Sequence, residues 1–199
     1  MQIDDWQNNN QEPKQLVLTN REKQVVLGSI LGNSSIIKPA KSLNPHFQMR
    51  ESISKGGNWI RCKAEELKRL SRKKSFIKDS NSYRWNSISA ECFIEFYNLC
   101  YENNNKTIKP ELLDKLQDYG ITCWFMDKGF LNNKYCSIRI SRLNQESIDN
   151  IKEYFNIIDM PCVIKKFGGS KIINFEEKSR DKFIRLISPC MPAYMRKTT

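Results

Sequence analysis

The chain has 199 residues, 39% of them hydrophobic, enough to bury a core as one large domain or two small ones. Its 33 Lys and Arg against 22 Asp and Glu give a net charge of +11, spread through every segment and not gathered in one tail, so the surface suits a polyanion. No apolar run approaches the ~20 residues that span a bilayer, which excludes a membrane partner of that kind. Seven cysteines without a Cys-x-x-Cys pair, beside the single histidine His46, exclude a structural zinc site and read as reduced thiols. The polar, partly acidic start from Met1 to Lys14 lacks the features of a signal or transit peptide. The expected setting is a reducing compartment: a mitochondrion or plastid that encodes the protein itself, or a bacterial cytoplasm.

Residues 1–17, rich in Asn and Gln, read as a flexible lead-in. Thr19-Asn-Arg-Glu22 matches a capping box and opens a helix through the apolar stretch 25–31. After Pro39, alternation over 46–53 predicts a strand with Phe47, Met49 and Ile53 on one face and His46, Gln48, Arg50 and Ser52 on the other. Gly56-Gly57 breaks it. Residues 59–70 have helical spacing through Ile60, Leu67 and Leu70, residues 75–77 and 83–88 read as strands around a turn, and 90–101 as a helix. From Pro110 the same order recurs. A helix ends near Asp127, and residues 134–141 alternate with Cys136, Ile138 and Ile140 against Tyr135, Ser137, Arg139 and Ser141. Residues 145–157 form an amphipathic helix, 163–167 and 171–175 two strands about Gly168-Gly169, and 178–187 a closing helix. Helix, strand, helix, two strands and helix thus occur twice, in repeats expected at 18–109 and 110–199.

Two segments share an unusual character: Val26-Leu-Gly-Ser-Ile-Leu-Gly-Asn-Ser34 and Ile121-Thr-Cys-Trp-Phe-Met-Asp-Lys-Gly129 are apolar helices carrying small residues and ending in a tight turn. They resemble the two motifs of a LAGLIDADG homing endonuclease of the single-chain, two-motif, intron-encoded type. Trp124-Phe-Met-Asp-Lys-Gly129 is similar to the Trp-Phe-Met-Asp-Asp-Gly form of the second motif. Asn104-Asn-Lys-Thr-Ile108 with Pro110 and Leu112, Leu186-Ile-Ser-Pro189, and Pro192-Ala-Tyr-Met-Arg-Lys197 extend the resemblance over residues 18–197. It implies an α+β, pseudo-two-fold duplicated αββαββα fold, with two saddle-forming antiparallel sheets in the major groove of double-stranded DNA. The motif helices would pack where Gly28 and Cys123 let backbones approach. Each would bring one acid to a shared point, where Mg²⁺ activates water and stabilises the leaving oxygen of a phosphodiester. Basic residues line that centre in the family, and by position Lys106 and Lys197 take this role.

The pattern departs at the acids. Asn33 and Lys128 stand at the two acid positions; an amide oxygen is neutral, and an ammonium repels a divalent cation. Asp127, one residue earlier, is the one acid a shifted helix end could offer a metal, but the shift is a rotation of ~100° that would disturb the packed pair. No resident cofactor is therefore expected, with Mg²⁺ required only if the chain still cuts. The polar strand faces supply candidate nucleic-acid contacts: His46, Gln48 and Arg50 in the first repeat, Tyr135, Ser137, Arg139 and Arg142 in the second, with Lys165 and Lys166 beyond. Trp59, Trp85 and Trp124 read as core. The expectation is a monomer that binds double-stranded DNA with cleavage lost or strongly impaired. Two alternatives stay open: an RNA-binding derivative, such as a group I intron maturase or a ribosome component, and a still-active Mg²⁺-dependent endonuclease.

Overall fold

A computed structural model describes residues 16–40, 42–132, 135–140 and 143–193. Helix α1 (Asn20–Leu31) starts at the expected capping box: the Glu22 N–H donates to Thr19 Oγ1 at 3.2 Å, and the Thr19 N–H donates to Glu22 Oε2 at 2.7 Å. Strands β1 (Ser34–Ile37) and β2 (His46–Ser52), helix α2 (Asn58–Glu66), strands β3 (Phe76–Lys78) and β4 (Ser82–Ser89) and helix α3 (Ile94–Cys100) follow. A small hairpin, β5 (Tyr101–Glu102) and β6 (Asn105–Lys106), and a single turn of helix, α4 (Pro110–Leu113), lead into α5 (Asp118–Lys128). The second series then runs β7 (Gly129–Leu131), β8 (Cys136–Arg139), α6 (Gln145–Ile157), β9 (Cys162–Phe167), β10 (Ser170–Phe175) and α7 (Glu177–Ile187).

Both series are αββαββα, and both fold into a four-stranded antiparallel sheet with the same spatial order, β1-β2-β4-β3 and β7-β8-β10-β9. The periodicity had shown only one strand after each motif helix. The extra strands, β1 and β7, follow their helices directly and are too short to declare an alternation. Ile53 also departs from expectation: it leaves β2 for a 3-10 turn, and Glu51 takes the inward position. A buried carboxylate is tolerable there because Glu51 Oε2 accepts the Ile60 N–H near the start of α2 at 2.8 Å.

Helices α1 and α5 pack side by side between the sheets. A Cβ on Gly28 would lie 2.0 Å from the Gly120 carbonyl oxygen and 2.8 Å from Cys123 Cβ, so the crossing needs glycine at that point. Buried Gln24 ties the N-terminal end of the pair, donating from Nε2 to the Lys115 carbonyl at 2.9 Å and accepting the Gln117 N–H at 2.8 Å. Phe47, Met49 and Trp85 of the first sheet, and Cys136, Ile138, Ile173 and Phe175 of the second, turn inward to this core. Trp59, Trp85 and Trp124 are buried, and all seven cysteines are free thiols. Among the described residues no helix is long and apolar enough to cross a membrane.

Candidate nucleic-acid interface

The outward faces of the sheets, together with the ends of the motif helices, bound an open cleft of about 800 Å³. Its described lining includes six cations, Arg50, Lys55, Lys128, Arg139, Lys165 and Lys166, and a single acid, Asp127. Asn33, Tyr135 and Ser137 line it as well. Nine of the sequence candidates therefore converge on one concave surface. Arg50 Nε donates to Ser82 Oγ at 3.1 Å, which steers the guanidinium along the sheet face. Ser137 is almost closed off from solvent, donating to Asn174 Oδ1 across the β8–β10 pair at 2.9 Å. His46 and Gln48 lie farther along the outward face of β2, outside the cleft lining; Gln48 Nε2 donates to Asn86 Oδ1 at 2.8 Å. Burial, aided by Arg72, holds the His46 pKa below the usual histidine value. Arg142 and Lys197 lie outside the described residues.

At the floor of the cleft the C-terminal ends of α1 and α5 meet around Asp127, which is 5% exposed. Its Oδ1 lies 2.7 Å from Lys63 Nζ and accepts the Trp59 indole N–H at 2.9 Å. Its Oδ2 accepts from Lys63 Nζ at 2.9 Å and from the Asn33 backbone N–H at 3.2 Å. Lys63, on α2, is 2% exposed and donates also to Ser29 Oγ at 3.1 Å. The carboxylate fits because α1 has Gly32 opposite it; a Cβ there would stand 2.4 Å from Asp127 Oδ2. The Asp127 main-chain oxygen is likewise engaged, by Asn33 Nδ2 and by Lys55 Nζ, each at 3.1 Å. Glu51 stands close enough for its charge and that of Asp127 to oppose each other. Burial pushes its pKa above the usual glutamate value, against the pull of the Ile60 N–H and Lys63.

Lys106 is not at the mouth of the site. Its ammonium donates to the carbonyls of Ile30 at 2.8 Å and Ser34 at 2.9 Å, capping the C-terminal end of α1. Burial lowers its pKa to about 8, with Lys128 adding to the shift and Cys100 and Asp127 opposing it. Each motif helix thus ends against a lysine, α1 against Lys106 and α5 against Lys55.

Sequence reasoning missed Lys63, Lys55 and the second role of Trp59. For Lys63 a signal was present: it falls on the stripe of Trp59, Ile60, Leu67 and Leu70, where a lysine in an inward position demands a buried counter-charge. The indole of Trp59 is core, as read, but its N–H faces the carboxylate.

The donor set at this junction does not fit a divalent metal centre. Such an ion needs anionic oxygens, and the one carboxylate in the described lining of the cleft is already neutralised by a buried ammonium, while Lys128 adds positive charge to that lining. No metal-dependent step follows from these residues.

Comparison with known proteins places this geometry. Among solved structures, the fold is similar to the homing endonuclease I-WcaI bound to its DNA recognition sequence, with a TM-score of 0.80 at 19% identity over 97% of this chain and 94% of that one. It is also similar to I-DmoI in complex with DNA and Mn, with a TM-score of 0.55 at 14% identity over 84% of this chain and 96% of that one. The N-terminal LAGLIDADG domain of DUF199/WhiA gives 0.51 at 11% identity over 85% of this chain and 82% of that one. No curated protein sequence matches the chain. The model of the LAGLIDADG DNA endonuclease family matches residues 23–183, taking in both motif helices and both sheets, and the chain belongs to that family.

Proposed function

We propose that this protein binds double-stranded DNA as a monomer and no longer cleaves it by a Mg²⁺-dependent route. The observation that carries the reading is the Lys63–Asp127 pair: the acid at the helix junction has an internal counter-ion, and both family acid positions hold Asn33 and Lys128. The six cations of the cleft supply the phosphate-binding half of the argument. One chain carries both motif helices and both sheets, so a single copy forms the whole groove. Relatives of this fold are known as DNA complexes, I-WcaI with its recognition sequence and I-DmoI with DNA and Mn, which agrees with a duplex ligand.

The test is selection of bound duplexes from a random pool, followed by titration across salt concentrations and incubation with Mg²⁺ or Mn²⁺. If each of six cations meets one phosphate, log affinity should fall against log salt with a slope of roughly −5. Strand scission should stay at the level of the metal-free control. Salt-independent or absent binding would overturn the binding half. Cleavage by wild-type protein that Asp127→Asn abolishes would overturn the other.

A further inference from the structure

The two sheet faces that bound the cleft differ in kind. The first sheet and its turns contribute polar or charged side chains, among them Arg50, Lys55 and Ser82, and no aromatic ring. Every aromatic side chain of the lining comes from the second half: Phe130, Tyr135 and Phe167, exposed by 58%, 52% and 62%. These are the only large aromatic residues so exposed among the described residues. Phe130 pairs with Ser137 across β7–β8, so it stands on the outward face, diagonal to Tyr135 on the same side. Phe167 lies on the opposite edge strand, at the β9–β10 turn, where it pairs with Ser170. Arg139, on β8, and Lys165, on the same edge strand as Phe167, stand on either side of Ile172 of β10.

A paired base in a groove offers its edge, whereas an unpaired base offers a flat π-face that stacks on an exposed ring. Rings flanked by cations match a nucleotide whose base has left the helix while its phosphate stays in the groove. We infer that the second half of the cleft is a stacking platform for unpaired nucleobases, so that the preferred ligand is a duplex held by the first half and opened, or ended, over the second. The inference rests on the nucleic-acid reading of the cleft and adds the state of the strand it recognises. Unpaired bases occur in DNA bubbles and in RNA loops alike.

The test compares the full-length protein on a fully paired AT-rich duplex and on the same duplex with a four-nucleotide unpaired stretch carrying 2-aminopurine, each made as DNA and as RNA. The opened ligand should bind about tenfold more tightly, as expected for stacking of one or two bases, and the 2-aminopurine emission should change on binding. A Phe130→Leu/Phe167→Leu double variant keeps the apolar surface and removes two of the three rings, leaving Tyr135. It should reduce the preference to about threefold or less while leaving affinity for the paired duplex within about twofold. A larger gain on the DNA or on the RNA version identifies the source of the unpaired strand, and either supports the platform. Equal affinity for opened and paired ligands, or an equal loss on both in the Leu variant, overturns it and leaves duplex binding standing. Failure of every ligand to bind overturns the underlying reading instead.

Discussion

Lys63 and Asp127 show how a single contact governs a site. An ammonium and a carboxylate, exposed by 2% and 5%, are stable together because each supplies the charge and the hydrogen bonds the other lost on leaving water. Replacing only one partner strands the other. Lys63→Met should therefore cost ~3–5 kcal/mol of stability, and Asp127→Asn a comparable amount, while the double variant should lose much less than their sum. Urea unfolding of the four proteins measures this; an additive cycle would show that the two side chains are not coupled. Lys106 makes a separate prediction. Its folded pKa of about 8 lies below the ordinary lysine value of about 10.4, so its contribution to stability is fully present above the ordinary value and is lost as pH falls through about 8. The stability of wild-type protein relative to Lys106→Met should rise between pH 8 and 10, and a flat difference would show that the amine is not depressed. Titration of the cysteines other than Cys100, whose thiol feels Lys106, is common to both proteins and cancels in that difference. Asn33 and Lys128 were legible at this scale because a motif fixes their positions by spacing. The partners of Asp127 were not, since Lys63 lies 64 residues away in the chain and only the packing of α2 under the helix pair brings it there.

Among the elements, the motif helices depend most on what is absent from their surfaces. Gly28→Ala would drive a methyl group into the Gly120 carbonyl, a backbone atom that can move only with its helix. It should destabilise by ~1–3 kcal/mol through overpacking, whereas Gly168→Ala, with nothing within 4 Å, meets only the strain of its positive φ. Thr19→Ala should cost ~1 kcal/mol by removing the cap of α1. Thermal melts of the variants rank these effects, and a Gly28→Ala protein as stable as wild type would contradict the close crossing. Long elements with a clear period were readable from the sequence: the expected span 145–157 is α6 to the residue, and β2, β4, β9 and β10 lie within a residue or two of their expected ranges. The short ones were not. β1 and β7 exist because partners already in place define their register, Ser34 against Met49 and Gly129 against Ile138, and no local pattern of three or four residues carries that information. Ser137 and Asn174 were hidden for a related reason: two polar residues on an outward face satisfy each other across strands and so become buried.

At the level of the whole molecule, the two series of elements repeat each other in order and in sheet topology, yet they are not alike where they meet. Gly32 and Asp127 hold equivalent places, each one residue before its motif end, with 127 − 32 = 95 matching 128 − 33 = 95. One half supplies a gap and the other the side chain that fills it, and the lysine that balances this side chain belongs to the half with the gap. The halves are therefore addressed to each other and cannot be interchanged. A chain made of two first halves would bury two ammonium groups without the aspartate that accepts their hydrogen bonds; one made of two second halves would press two carboxylates into space left for one. Neither doubled chain should fold cooperatively, while the two natural halves expressed as separate polypeptides should find each other and co-elute. The repeated topology is thereby a lock and key within one chain, so change in either half is constrained by the other.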